Sequence, residues 1–196
     1  MVRRIFAAVV ILALASSTWA ADLVDNPAYK AWAPYKPGSY VTKSGKTEMT
    51  LPTGVRTTGT QITMKLLEVT PDKVVVELSM TLTTGGRKVE PPVVKQEFPA
   101  KVEKGYEYLP QDTAMTKPEI SDVKTGTDTV EINGKSLETT TYEATAKSTR
   151  NGRETVSHFK IWRNETIPGG VVKLETTVPA PTHSTTTMLV TDYKAE

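Results

Sequence analysis

Two neighbouring runs in the middle of the chain constrain the fold most, because apolar and polar residues alternate strictly in both. The apolar positions are Ile62, Met64 and Leu66 in the first run, and Val74, Val76, Leu78, Met80 and Leu82 in the second. In the second run Glu77, Ser79 and Thr81 take the other side. Thr70-Pro71-Asp72-Lys73 lies between the runs and has the composition of a turn. This alternation predicts a pair of antiparallel strands with one buried and one hydrated face.

Further hairpins extend this pattern along the chain. Turn sequences occur at Thr84–Arg87, Ile132–Lys135 and Arg150–Arg153. The last two contain Asn-Gly, which accepts the positive φ angles of a two-residue hairpin turn. Long strands are predicted over Val123–Ile132, Leu137–Thr149 and Glu154–Trp162. Residues Glu90–Pro118 contain repeated prolines, which predict short edge strands or loops.

One segment, Asp25–Trp32, has helical character. Asp25 or Asn26 is expected to cap it and Pro27 to occupy its first turn, while Pro34 and Pro37 end it. Parallel strands would need crossover helices, which the sequence lacks. The predicted fold class is therefore mainly β, an antiparallel meander with a short N-terminal helix.

The start of the chain has the composition of a secretory signal peptide. Arg3 and Arg4 precede an apolar run, and small residues lead to Ala20. We expect residues 1–20 to be a signal peptide of the Sec type, cleaved after Ala20, and residues 21–196 to form a single antiparallel β domain. The apolar run is shorter than the roughly 18 residues of a membrane-spanning helix, so no transmembrane anchor is expected. The expected localisation is periplasmic or secreted.

Charge and cysteine content limit the partners. The chain has 24 Lys and Arg and 22 Asp and Glu, and removal of Arg3 and Arg4 with the signal leaves equal numbers. A neutral chain without a basic run is not expected to bind nucleic acid. The chain has no cysteine, so its stability must come from the core.

No pattern in the sequence predicts a catalytic residue, a metal site or a cofactor. The two histidines, His158 and His183, lie outside any metal-binding spacing. Ser157 and His158 are strand neighbours, so their side chains are expected on opposite faces. Gly45-Lys46-Thr47 and Gly134-Lys135-Ser136 lack the first glycine of a P-loop and are predicted to be hairpin turns. The single carboxylates Glu138, Glu143, Glu154 and Glu175 are expected on a hydrated face with cross-strand ion pairs.

The stretch Ile167–Lys173 contains Pro168-Gly169-Gly170 between two strand-like runs. We predict a turn, because proline fixes φ and glycine supplies positive φ. The alternative is that the glycine pair lets a ligand or a second backbone approach closely. Trp32 and Trp162 could line a pocket together with Tyr35, Tyr40, Tyr106 and Tyr108. The alternative for Trp32 is a core position across the concave face of the sheet.

The stretches Trp32–Val41 and Ile161–Lys173 resemble motifs of secreted, β-rich bacterial proteins. The layout of export signal, short helix and long meander is similar to LolA/LppX-like periplasmic carriers of lipoproteins and lipids. This resemblance implies a strongly curved sheet or half-barrel, and no functional residue carries over from it.

Two functions are favoured by these observations. The first is a periplasmic binding module that holds an apolar ligand, such as a lipid, or a lipidated partner on the concave face. Its hypothetical site consists of Ile62, Met64, Leu66, Val76, Leu78, Met80, Trp32 and Trp162. The second is an envelope structural or protein-interaction module that uses strand edges or a Thr-rich face and needs no small-molecule ligand. A hydrolase with a site assembled across strands is a third, less favoured hypothesis.

Overall fold

The computed structural model describes residues 22–104, 119–150, 153–179 and 183–196. The expected signal peptide with its cleavage site, Tyr106 and Tyr108, and the Asn151-Gly152 turn lie outside the described residues. Within the described ranges the chain forms a short α-helix and twelve β-strands. This composition confirms the predicted mainly β fold class.

The helix α1 spans Pro27–Trp32. The strands in the first part of the chain are β1 Leu23–Asp25, β2 Tyr40–Leu51, β3 Gly54–Val69, β4 Lys73–Thr84, β5 Arg87–Val89, β6 Val94–Pro99 and β7 Lys101–Glu103. Those in the second part are β8 Glu119–Ile132, β9 Lys135–Arg150, β10 Arg153–Arg163, β11 Val171–Val178 and β12 Ser184–Lys194.

The large sheet consists of two antiparallel meanders. In the first, β2, β3 and β4 pair in chain order, and β5 and β6 both pair with β4. In the second, β8 to β12 pair in chain order. The meanders join where β2 pairs antiparallel with β12, with Tyr40 opposite Lys194 and Met49 opposite Ser184. The sheet is curved and open like a half-barrel, since β8 does not pair with β5 or β6. Strands β1 and β7 form a separate two-stranded sheet.

The helix begins at a capping residue. The side-chain oxygen of Asn26 accepts a hydrogen bond from the backbone N–H of Ala28 at 2.9 Å, which satisfies one of the free donors of the first turn. The Asn26 amide nitrogen donates to the carbonyl oxygen of Pro99 at 2.7 Å, at the end of β6. The Tyr29 hydroxyl donates to the carbonyl oxygen of Thr70 at 2.8 Å. Of the two predicted capping residues, Asp25 and Asn26, it is Asn26 that caps the helix, and the cap also fixes the helix to the sheet.

We call the side of the large sheet that carries α1 the helix face. Residues directly opposite each other on paired strands lie on the same face. The pairs Leu66 with Val76, Met64 with Leu78 and Ile62 with Met80 all lie on the helix face. Trp32, Leu66, Val76, Val41 and Ile167 belong to one buried cluster, so the helix packs on this side.

The other side, which we call the opposite face, carries charged residues of alternating sign. Lys160 on β10 lies opposite Glu175 on β11 and Glu143 on β9, and Glu143 lies opposite Lys124 on β8. Lys147 and Glu154 form an ion pair at 2.8 Å. Glu143, Glu154 and Glu175 therefore lie on a hydrated face as expected, and Glu154 makes the expected cross-strand ion pair. Glu175 instead pairs with Lys173 of its own strand, and Glu138 is exposed on the other side of β9.

The predicted turn at Gly45-Lys46-Thr47 is wrong, because these residues lie in the middle of β2. A Cβ atom on Gly45 would lie 1.9 Å from the carbonyl oxygen of Thr187 and 2.7 Å from the sulfur of Met188. Glycine is needed here because β12 approaches β2 too closely for any side chain. A glycine inside a strand marks such an approach as well as a turn.

Candidate functional site

The base of the helix face is closed by the Pro-Gly-Gly segment between β10 and β11. Gly169 and Gly170 have φ angles of 77° and 69°, as a turn of this kind requires. The backbone N–H of Gly169 also donates to the carbonyl oxygen of Ala31 at 3.0 Å, at the end of α1. A Cβ atom on Gly169 would lie 3.0 Å from two carbon atoms of the Trp32 indole. The segment is therefore a turn, and its glycines also let the helix pack closely.

Three of the predicted site residues are part of this closed base. Trp32 has 1% of its surface exposed, and Leu66 and Val76 have none. All three belong to the same buried cluster. They support the surface above them and are not accessible to a ligand.

The residues above the base form a partly exposed row that we call the apolar strip, which consists of Ile62, Met64, Met80 and Leu82. All four are half-buried, and Leu78 between them is almost fully buried. Met64 lies opposite Leu78 and Ile62 opposite Met80, so the strip crosses β3 and β4 without a break. The structure thus brings together the accessible part of the predicted site.

Two polar features border the apolar strip. Lys43 on β2 lies directly opposite Ile62 and places a positive charge on the helix face. Farther from α1, five threonines stand in one row across five strands, and we call them the threonine ladder: Thr84, Thr58, Thr47, Thr186 and Thr176. Their hydroxyl groups pair at 3.0 Å between Thr58 and Thr84 and at 2.9 Å between Thr47 and Thr186. An apolar surface near the helix therefore gives way to a hydroxyl-rich surface.

Trp162 belongs to the same buried cluster as Trp32, but the strand register does not place it on the helix face. Trp162 lies opposite Lys173 and Thr141, so its side chain is on the opposite face. The ring is almost fully buried, and the ammonium nitrogens of Lys160 and Lys173 lie 4.8 Å and 4.4 Å from its centroid. Its position follows from the two-residue strand period, which separates it from Ile161.

The indole nitrogen of Trp162 has a partner on the edge strand β8. It donates to a carboxylate oxygen of Asp128 at 2.9 Å. This hydrogen bond lowers the pKa of Asp128 below its usual value because it stabilises the charged form. Trp162 therefore fixes the β8–β9 hairpin to the sheet.

Several polar side chains lie around His158 on the opposite face. The imidazole Nδ1 lies 3.0 Å from the hydroxyl of Thr145. Hydrogen bonds from Ser121 and Thr145 lower the pKa of Asp122, which has a φ angle of 54° at an irregularity in β8. His158, Asp122 and Ser121 are all exposed, so this arrangement lies on open surface and not in a cleft. Ser157 points the other way and donates to the Ala146 carbonyl oxygen at 3.5 Å.

The described ranges contain no candidate metal site and no candidate membrane-spanning helix. No group of three or more His, Cys, Asp or Glu side chains in these ranges is placed to hold a metal ion. Among the same residues, no helix has the length and apolar character needed to cross a membrane.

The sequence patterns missed the contribution of the last strand. Strand β12 places Met188 on the helix face opposite Leu174 and adds Thr186 to the threonine ladder. The apolar run Met188-Leu189-Val190 after Ser184–Thr187 was the available signal. Its position beside β2 could not follow from that signal, because the two strands are far apart in sequence.

Neither a protein-family model nor a curated protein sequence matches this chain. Three solved structures show a likeness. An exported protein with a YmcC-like fold from Bacteroides fragilis has 11% identity and a TM-score of 0.46, with 83% of this chain and 98% of that chain covered. A lipoprotein from Parabacteroides distasonis has 11% identity and a TM-score of 0.45, with 84% and 98% covered. An outer membrane lipoprotein-sorting protein domain from Vibrio parahaemolyticus has 9% identity and a TM-score of 0.25, with 82% and 86% covered.

Proposed function

We propose that this chain is an exported binding protein that holds an apolar small molecule of the lipid type on its helix face. The proposal of export rests on the composition of residues 1–20, and it places the protein in the periplasm or outside the cell. The apolar strip carries the proposal of binding. It continues the buried core outward and leaves four apolar side chains half-covered.

A ligand on this surface would complete the burial of the strip. Full burial of a large apolar side chain stabilises by about 1.5–3 kcal/mol, so covering the exposed half of each strip residue contributes about 1 kcal/mol. The threonine ladder offers hydroxyl groups for a polar part of the ligand. These features support an amphipathic ligand with a long apolar part.

Native mass spectrometry of the mature protein from its own envelope fraction tests the proposal first. Organic extraction then identifies any molecule that accompanies the protein. We expect an apolar molecule in a fixed ratio to the chain. A protein that is isolated empty and gains no mass with added lipids would overturn the proposal.

A pair of matched variants connects binding with the strip. Ile62→Glu places a carboxylate in the strip, whereas Gln61→Glu places one on the exposed opposite face of the same strand. With a fluorescent long-chain fatty acid as probe, we expect at least a tenfold loss of affinity for Ile62→Glu, which corresponds to about 1.4 kcal/mol. Gln61→Glu should bind like the parent. Equal affinities of the two variants would place the ligand elsewhere.

Exposed valines at the first edge of the sheet favour a second candidate function, a protein-interaction module. Val89 and Val93 are each 57% exposed and Val94 is 51% exposed, on and between β5 and β6. Edge strands with free backbone groups can pair with a strand of a partner. If the chain is isolated empty but with a second protein, and Val94→Lys releases that protein, this second function replaces the first.

A further inference from the structure

All methionines in the described residues lie on the helix face. The chain has six methionines, of which Met49, Met64, Met80 and Met188 are described. They come from four strands, β2, β3, β4 and β12, and the strand registers place each of them on the side that carries α1. Methionine adapts its shape readily and is common on surfaces that accept varied apolar partners.

The four methionines differ in accessibility. Met49, Met64 and Met80 are half-buried, whereas Met188 has only 6% of its surface exposed. The sulfur of Met188 sits over Gly45, 2.7 Å from the position that a Cβ atom would take. A dissolved reagent therefore reaches the first three side chains more easily than the fourth.

We propose that Met64 and Met80 are oxidation sites through which a peroxide controls ligand binding on the helix face. This inference rests on the proposed function. In each event the thioether sulfur attacks one oxygen of hydrogen peroxide and the O–O bond breaks. The sulfur gains that oxygen and becomes a sulfoxide, while the peroxide is reduced to water. The product is polar, and methionine sulfoxide reductases return it to the thioether.

The position of the two residues explains why oxidation weakens binding. Met64 lies opposite Leu78, and Met80 is the next residue on the same side of β4, so the two methionines are diagonal neighbours. The side chains directly opposite them on the other strand, Leu78 and Ile62, have no hydrogen-bonding group. A sulfoxide covered by an apolar ligand would lose its water without gaining a partner from these side chains.

Peptide mapping after stepwise treatment with hydrogen peroxide tests accessibility without any ligand. We expect Met49, Met64 and Met80 to gain an oxygen before Met188. Equal rates of oxidation at all four methionines would overturn the inference, because their different burial on the helix face would then not affect their oxidation.

Probe titration before and after peroxide tests the control of binding. We expect at least a tenfold loss of affinity for the fluorescent fatty acid in the oxidised parent, and recovery after reductase treatment. The affinity of the double variant Met64→Leu/Met80→Leu is measured before and after peroxide treatment, and the two values should be the same. Met49→Leu is the control, and it should lose affinity as the parent does.

Three results distinguish this inference from the function on which it rests. Absence of probe binding before oxidation overturns both. Binding that changes less than twofold when Met64 and Met80 are oxidised overturns the switch and leaves the proposed function standing. Loss of the β-sheet circular dichroism signal together with binding also overturns the switch, because damage to the fold would then explain the loss.

Discussion

Replacement of Gly169 by alanine should reveal how tightly the β10–β11 turn is packed on α1. The substitution has two separate costs. Gly169 has a φ angle of 77°, and a side chain in this left-handed region costs about 1–2 kcal/mol. The new methyl group would also lie 3.0 Å from the ring of Trp32, which is buried and cannot turn away freely. Overpacking of this kind costs about 1–3 kcal/mol. We therefore expect Gly169→Ala to lower the free energy of unfolding by about 2–5 kcal/mol in total.

Gly86 supplies a matched control for the backbone cost. Its φ angle of 78° is almost the same, and a Cβ atom there would have no heavy atom within 4 Å. Gly86→Ala should therefore lower the free energy of unfolding by only about 1–2 kcal/mol. Urea unfolding followed by far-ultraviolet circular dichroism measures both variants. The difference between them is the cost of displacing Trp32.

A double-mutant cycle with Trp32→Leu checks the cause of that difference. In the Trp32→Leu background the indole is absent, so Gly169→Ala should cost no more than Gly86→Ala does in the parent. If Gly169→Ala and Gly86→Ala destabilise the parent equally, the contact with Trp32 is not tight and the reasoning fails. The same holds if the cycle shows no coupling between the two positions.

Two further predictions concern a charge and a strand contact. Hydrogen bonds from Lys101 and Lys30 lower the pKa of Asp25 to about 2, so its stabilising effect is complete above about pH 4 and is lost as the pH falls towards 2. Asp25→Asn should therefore flatten the fall of Tm between about pH 4 and pH 2; a slope equal to that of the parent would contradict this. Gly45→Ala should lower the free energy of unfolding, measured in urea, by about 3 kcal/mol because β12 lies against Gly45. Gly59→Ala is the control: the nearest atom to a Cβ there is 3.7 Å away, so this variant should be neutral or slightly stabilising. Similar values for the two variants would show that β2 and β12 separate easily.

The local elements followed from the sequence because their signals are local. The turn at Thr70–Lys73 is closed by a hydrogen bond of 2.8 Å from the backbone N–H of Thr70 to the carbonyl oxygen of Lys73. The Asn133-Gly134 turn has the expected positive φ angles of 51° and 74°. The strands around the second turn were predicted over 123–132 and 137–149 and span Glu119–Ile132 and Lys135–Arg150, whereas β3 before the first turn begins at Gly54, well ahead of the predicted run at Ile62. Alternation and turn chemistry determine such hairpins without help from the remainder of the chain.

The arrangement of the candidate site followed only in part. Ile62, Met64 and Met80 share an accessible face, as the two-residue period indicates. The period could not separate them from Leu66 and Val76, which share the same face but are covered by α1. Burial depends on where the helix docks, and docking depends on contacts such as that of Trp32 with Gly169, which are distant in sequence. The misassigned Gly45 has the same origin, since its constraint comes from β12.

The pairing of β2 with β12 also has a consequence for the order of folding. Each meander consists of neighbouring strands joined by short connections, so each can form from contacts that are close along the chain. The seam between them joins residues 40–51 to residues 184–194, and closing so long a loop is slow because of its entropy. The centre of the sheet is therefore completed only when the last strand of the chain is present. A circular permutant that joins the two ends and opens the Gly85-Gly86 turn would make this central pairing local, and it should fold faster than the natural order.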